Sequence, residues 1–282
     1  MRLLRATAAQ QVARDGLTAQ VWAAPLSTAG FLEREQALRS HPWAARMTTW
    51  LWCAENGDVL SSCETFASEA LLGARPCLAA TIASVFTEPH LRGRGLAEGM
   101  LRAVLAELHG EVQAFTLFSE IGPTLYARLG FQPVPSVDVL FEPLEAKPDV
   151  EWVTQLAPVP PLADGVLQLV TTPERFDWQL VREDFYGHRL DVHGARDGDD
   201  AITWTAYWKA QELQVLTYSQ PTEKLLAAAR HTAFRAGLPL VRVWETTPVP
   251  GGKRASRDDE LPMFLATPEV RGWSHIERAH WA

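Results

Sequence analysis

"FTEPHLRGRGLAEGMLRAVL", Phe86 to Leu105, sets Arg92, Gly93, Arg94 and Gly95 in succession between an apolar strand-like run and an apolar helix-like one. The mouth of a helix carries unsatisfied N–H groups and partial positive charge, so it seats anions, phosphates above all. Glycines at that mouth remove the Cβ atoms that would hold a ligand's oxygens away from the amides, and the two arginines add charge. A P-loop, GxxxxGK[S/T], is excluded because no Lys-Ser or Lys-Thr follows these glycines. A dinucleotide fingerprint starting at Gly93 meets Glu98 where its third small residue belongs, and glutamate is too large for that helix–strand approach.

Working outward from this stretch, Leu78–Phe86 reads as the strand that feeds the loop. Leu96–His109 reads as the helix: Leu96, Met100, Leu101, Val104, Leu105 and Leu108 share one face and Gly110 ends it. Upstream, Arg2–Thr7 reads as an opening strand, with helical patterns at Gln10–Trp22 and Phe31–Ser40. Asn56-Gly57 then turns a hairpin between Thr48–Ala54 and Val59–Phe66. Downstream come a strand at Ala114–Ser119, a short helix at Pro123–Leu129 stopped by Gly130, and a closing strand at Phe131–Phe141. Hairpins first and βαβαβ afterwards describe an α/β fold with a mixed, partly antiparallel sheet.

The chain of 282 residues suits two domains of roughly 140 residues each. Seven prolines between Phe131 and Leu162 mark the division. The expected layout is residues 1–145, a Pro-rich linker at 146–162, and residues 163–282. In the second half "AITWTAYW" alternates as a strand, followed by strand Leu213–Ser219, helix Thr222–Arg235 and strand Leu240–Glu245. This shadows Leu78–Ser119, with "SQPTEKLL" where the anion loop stood, and reads as a degenerate structural copy. Residues 250–260, "PGGKRASRDDE", read as a polar, mobile loop.

Composition narrows the function classes. Net charge is −8 with an ordinary hydrophobic fraction of 47%, which disfavours a sequence-wide nucleic-acid or anionic-membrane role. Cys53, Cys63 and Cys77 form no CxxC pair and fit a reducing compartment. No zinc-ligand spacing accompanies His188 and His193, so no metal is expected. With neither a signal-peptide core nor a membrane-length apolar run, the expected location is cytoplasmic. Trp50, Trp52, Trp204 and Trp208 follow strand alternation and read as core rather than as a ligand cage.

Two signatures together carry a family resemblance. Arg92–Ala97 is similar to the [R/Q]-x-x-G-x-[G/A] pyrophosphate loop of the GNAT acetyltransferase superfamily. "YARLGF", Tyr126 to Phe131, resembles that family's Y-x-x-x-G-F segment, in the same order and about thirty residues on. "SSCETF" (Ser61–Phe66), "LFSEIGPTLYARLGF" (Leu117–Phe131), "RDDELPM" (Arg257–Met263) and "WSHIERAHW" (Trp273–Trp281) look like the lysine acetyltransferases of fungal lysine breakdown, which pair a GNAT domain with a GNAT-like C-terminal half.

The resemblance implies an acetyl-CoA-dependent N-acetyltransferase acting on a primary amine, most directly the side-chain amine of free lysine. Another acceptor (an aminoglycoside, a polyamine, a protein lysine or N-terminus) or a noncatalytic acyl-CoA sensor stays open, as does the oligomeric state. It implies that amides of Arg92, Gly93, Arg94, Gly95, Leu96 and Ala97 cradle the pyrophosphate. Ser84, Val85 and Phe86 would then run beside the pantetheine arm and offer an amide to the thioester oxygen. Tyr126 stands where the family places its general acid. Glu64, Glu120 and the terminal carboxylate of Ala282 are the candidates for the base. Asp258, Asp259 and Glu260 are carboxylates that attract a cationic amine or simply solvate a loop.

Overall fold

The computed structural model describes residues 1–157, 163–257 and 259–281; Ala282, Asp258 and the linker prolines Pro158, Pro160 and Pro161 lie outside the described residues. The chain opens with β1 (Arg2–Arg5), α1 (Ala8–Trp22), α2 (Thr28–Ser40), β2 (Met47–Cys53), β3 (Val59–Leu72) and β4 (Arg75–Thr87). It continues through α3 (Leu96–Glu107), β5 (Ala114–Ser119), α4 (Thr124–Ala127), β6 (Gln132–Pro133), β7 (Val137–Phe141) and β8 (Val166–Leu169). Then follow α5 (Pro173–Glu183), β9 (Gly194–Asp197), β10 (Asp200–Tyr207), β11 (Glu212–Tyr218) and α6 (Glu223–Ala236). Last come β12 (Leu240–Trp244), β13 (Lys253–Ser256), β14 (Leu261–Ala266) and β15 (Gly272–Trp273).

These strands form two sheets. The first runs β1-β2-β3-β4-β5-β14-β6, with β8 on the far end of β3 and β15 beside β8; the second runs β13-β7-β12-β11-β10-β9. The first sheet is antiparallel through β1–β4 and parallel at β4–β5, as the hairpin-then-βαβ order requires. The fold is therefore mixed α/β, with two sheets flanked by helices.

The two sheets exchange strands. The expected single strand at Phe131–Phe141 is two strands, because Pro133 and Pro135 interrupt the ladder. β6 stays in the first sheet against β14, whereas β7 joins the second between β12 and β13. In return β14, from the C-terminal half, lies antiparallel along all of β5. β7 precedes the expected boundary at residue 145 and β14 follows it, so the sheets do not divide at one point in sequence. The 250–260 segment is likewise no free loop: residues 253–256 pair with β7, and Arg257 is buried against Asp138 at 2.7 Å.

Each sheet packs its own core. Met100, Leu101 and Val104 of α3 meet Trp50, Ile82 and Leu117 in the first. Leu225, Ala228 and Ala229 of α6 meet Ile202, Trp204 and Val241 in the second. A third cluster, with Leu167, Trp244, Phe264, Trp273 and Trp281, seals the seam between them. Trp50 and Trp204 are buried and Trp52 and Trp208 partly so. The β11-α6-β12 unit repeats the β4-α3-β5 path, parallel pairing included.

Candidate active site

β4 and β5 pair only from Ala79–Ala114 to Ile82–Leu117 and then part. The parting has a local cause. Ser62 pairs with Phe86 but Glu64 pairs with Ala83, so one residue of β3 faces two of β4. This is a β-bulge, and it bends the strand that carries it. Ser84 absorbs it at φ +51°, in the left-handed region. Beyond the bulge, the backbone of Ser84, Val85 and Phe86 has no β5 partner and lines an 840 Å³ cavity.

The glycine loop bounds one end of that cavity. Gly93 and Gly95 take φ of +76° and +71°, and a Cβ on either would meet nothing within 4 Å. Gly95 is the N-cap of α3 and no side chain caps the helix, so its first amides lack a side-chain acceptor. In the copy, by contrast, the Thr222 side chain accepts from Leu225 N and fills the mouth of α6. Arg92 donates to the carbonyl of Thr87 and Arg94 to that of His90, which holds the loop's shape. Arg92, Gly93, Gly95, Leu96 and Ala97 line the cavity; Arg94 is outside its wall. Such a cradle, open at its glycines and anchored at a helix N-terminus, fits a diphosphate.

Tyr126 faces the same cavity. Its carbonyl accepts from both Leu129 N and Phe131 N, and Gly130 turns the chain at φ +92° under Leu265. The Y-x-x-x-G-F spacing is thus the short stop of α4, and it fixes the tyrosine ring edge-on to Phe131. The ring is buried and its hydroxyl makes no hydrogen bond to a described residue. Burial, with the nearby Cys63 and Glu120 adding to it, pushes the phenol up to about 12. It holds its proton throughout the neutral range.

The candidate bases differ sharply. Glu64 is buried between Arg14 at 3.1 Å and Arg39 at 3.0 Å. Burial pushes its carboxyl up, but the two guanidiniums outweigh that and hold it below the usual range. Glu120 is exposed to the cavity, and loss of solvent together with the charge of Glu260 raises its carboxyl despite Arg182, Lys209 and Arg278. Trp281 also lines the cavity, but the Ala282 carboxylate lies outside the described residues. Asp259 is exposed, and Glu260 is paired with Arg278 at 3.4 Å.

Sequence reasoning missed Arg14, Arg39 and Arg182, all in the cavity wall. On α1 the pattern is inverted: Arg14, Asp15 and Thr18 are buried while Val12 and Val21 are exposed. An apolar-face search discards such a helix's buried residues.

A bulge-parted pair of parallel strands, a glycine-opened helix mouth and a protonated tyrosine thus share one cavity. Residues 2–134 match the family model described as acetyltransferase (GNAT) domain. Those residues carry a GNAT acetyltransferase domain, and the protein is a transferase. Similar solved structures include a GCN5-related N-acetyltransferase from Kribbella flavida, at 16% identity over 94% of this chain and 71% of that one, TM-score 0.60. A probable N-acyltransferase from Enterococcus faecalis matches at 13% identity over 94% and 72%, TM-score 0.60. Eis1 from Mycobacterium abscessus matches at 11% over 94% and 74%, TM-score 0.55. At these identities the likeness is one of fold, and it extends over both halves. No curated protein matches the chain. Among the described residues no helix is long and apolar enough to cross a membrane, and no group of three His, Cys, Asp or Glu gathers as metal ligands.

Proposed function

We propose that this protein transfers acetyl from acetyl-CoA directly to a primary amine, with the side-chain amine of free lysine as the first acceptor to test. The observation that carries the reading is the convergence of the open β4 edge, the Gly93–Gly95 cradle and the Tyr126 hydroxyl on one cavity. Amides of Arg92 through Ala97 hold the pyrophosphate, and the unpaired Ser84–Phe86 backbone lies along the pantetheine arm. An amide of that edge, aimed at the thioester oxygen as charge develops, is worth about 3 kcal/mol of barrier.

The amine nitrogen forms its bond to the acyl carbon as the carbon–sulfur bond breaks. Tyr126 gives its proton to the departing sulfur and Glu120 takes the proton from nitrogen. Glu120 suits that role better than Glu64, because a carboxylate pinned by two arginines and held below its usual range is a weak base. A free lysine side chain is neutral in only about one molecule in 2,500 at pH 7, so proton removal is part of the work. Lysine rests on the sequence segments that resemble lysine acetyltransferases.

The test is thiol release from acetyl-CoA with purified protein and a panel of amines, lysine first. Release with an amine, and formation of its acetylated product, supports the reading. Binding of acetyl-CoA without turnover by any amine would make this an acyl-CoA sensor and overturn it.

A further inference from the structure

Opposite the glycine loop the cavity wall comes from the C-terminal half, through Trp178, Arg182, Tyr186, Tyr207, Lys209 and Trp281. The wall's arginines are not alike. Arg14 is paired with Glu64, Arg34 with Glu35, Arg39 with Asp15 and Arg128 with Glu98, while Arg92 donates to a backbone carbonyl. Arg182 alone among them has no hydrogen bond or ion pair with any described residue, and its Nη1 is buried without a partner. Its guanidinium lies 3.8 Å from the Trp281 ring centroid and 6.0 Å from that of Trp178.

Two indoles hold this cation by its faces and leave its N–H edges free. The Glu183 carboxyl is close enough for its charge to act on Arg182, yet no acceptor among the described residues meets Nη1. An enclosed guanidinium N–H without an acceptor is costly, and the planar fork matches a carboxylate with two parallel hydrogen bonds. Lys209, in the same wall, is exposed and adds a second positive charge. Arg182 is also close enough to Glu120 for its charge to act on that carboxyl. The acceptor space therefore holds both a carboxylate for an amine and a cation that has no hydrogen-bonded partner among the described residues.

We propose that Arg182 is a specificity-determining residue that binds a carboxylate of the acceptor, so that the substrate class is amino acids rather than polyamines or aminoglycosides. This rests on the acetyl-CoA reading above. A purely cationic amine leaves Arg182 Nη1 without an acceptor and adds like charge beside it; a molecule carrying both groups serves Glu120 and Arg182 together.

The experiment compares matched acceptors that differ only in the carboxylate: lysine, leucine and tyrosine, each against its carboxamide, with 1,5-diaminopentane as the carboxylate-free analogue of lysine. Binding of acetyl-CoA is measured first by calorimetry, then kcat/KM by thiol release. The expected result is a preference of about 10- to 100-fold for the carboxylate member of at least one pair, expressed mainly in KM. In Arg182→Gln that ratio falls toward one with acetyl-CoA binding retained, and Arg182→Lys keeps part of it. Equal use of both members, a preference for the diamine, or failure of every amino acid with an enzyme that binds acetyl-CoA overturns the proposal and leaves the donor site standing. Loss of a preference in Arg182→Gln together with loss of acetyl-CoA binding marks a misfolded variant, and the wild-type ratio then decides. Wild-type protein that binds no acetyl-CoA overturns the functional reading itself.

Discussion

Arg14 Nη2 donates to the carbonyl of Ser84 at 2.7 Å, reaching from α1 to the left-handed residue of the β4 bulge. The same guanidinium bonds Ser62 Oγ at 3.0 Å and Glu64 at 3.1 Å on the opposing strand. One buried side chain thus clamps both sides of the bulge that parts β4 from β5. Glu64 belongs to that clamp: it also receives Arg39, which is bound to Asp15.

Arg14→Met is expected to cost about 3 kcal/mol of stability, the lower edge for breaking a buried ion pair, because Arg39 still serves Glu64. Without Arg14, burial gains weight and the Glu64 carboxyl rises. The wild-type group is depressed on folding, so its contribution is complete above the unfolded value and fades as pH falls through the folded one. Acid unfolding of the variant should therefore begin at higher pH than in wild type. The positioning role predicts a higher KM for acetyl-CoA and a lower kcat in protein that is still folded. Wild-type kinetics at a pH where the variant is fully folded would show that the clamp does not shape the donor site.

Gly95→Ala separates backbone cost from ligand cost. At φ +71° an alanine is strained by about 1–2 kcal/mol, though its Cβ meets no protein atom within 4 Å. The added methyl stands where the donor's oxygens approach, so acetyl-CoA affinity should fall more than about 10-fold, or about 1.4 kcal/mol. Gly57→Ala, at φ +95° in the β2–β3 turn with equally open space, is the control: a similar stability loss with donor affinity intact. Equal affinity in the two variants would remove the anion cradle from that loop.

The glycine loop and the Tyr126–Phe131 turn were legible because their conformation is set by adjacent residues. The hairpins, α3 and the β11-α6-β12 copy were legible from period and turn chemistry. The exchange of β7 and β14 between sheets was not: Pro133 and Pro135 signal a break, but nothing local says which sheet a strand joins. Nor were the clamp and the Arg182 cation, since Arg14 occupies an inward face of α1 and Arg182 meets the Trp281 ring only ninety-nine positions later in sequence.

Tyr126→Phe removes a hydroxyl that has no protein partner among the described residues, so the fold should lose little, within about 1 kcal/mol. Turnover should fall by roughly 10- to 1,000-fold, with acetyl-CoA binding nearly unchanged. The loss is bounded because a thiol of pKa about 8.5 is already a tolerable leaving group. Full turnover in the variant would leave Tyr126 a packing residue against Phe131.

Glu120 and Glu64 make opposite predictions for the acid side of the pH profile. A base must be ionised, and the Glu120 carboxyl is raised while that of Glu64 is lowered. If Glu120 takes the proton, kcat/KM declines as pH falls through a value above the ordinary glutamate range of about 4.3; if Glu64 does, the decline sits below it. The acceptor amine adds a separate rise toward its own high pKa, and a less basic acceptor moves that limb alone. Glu120→Gln should lower kcat by about 10²- to 10⁴-fold and abolish the carboxylate limb, leaving only the amine's. A variant with wild-type kcat and an unmoved acid limb would take the base away from Glu120, because an amide at that position accepts no proton near neutral pH.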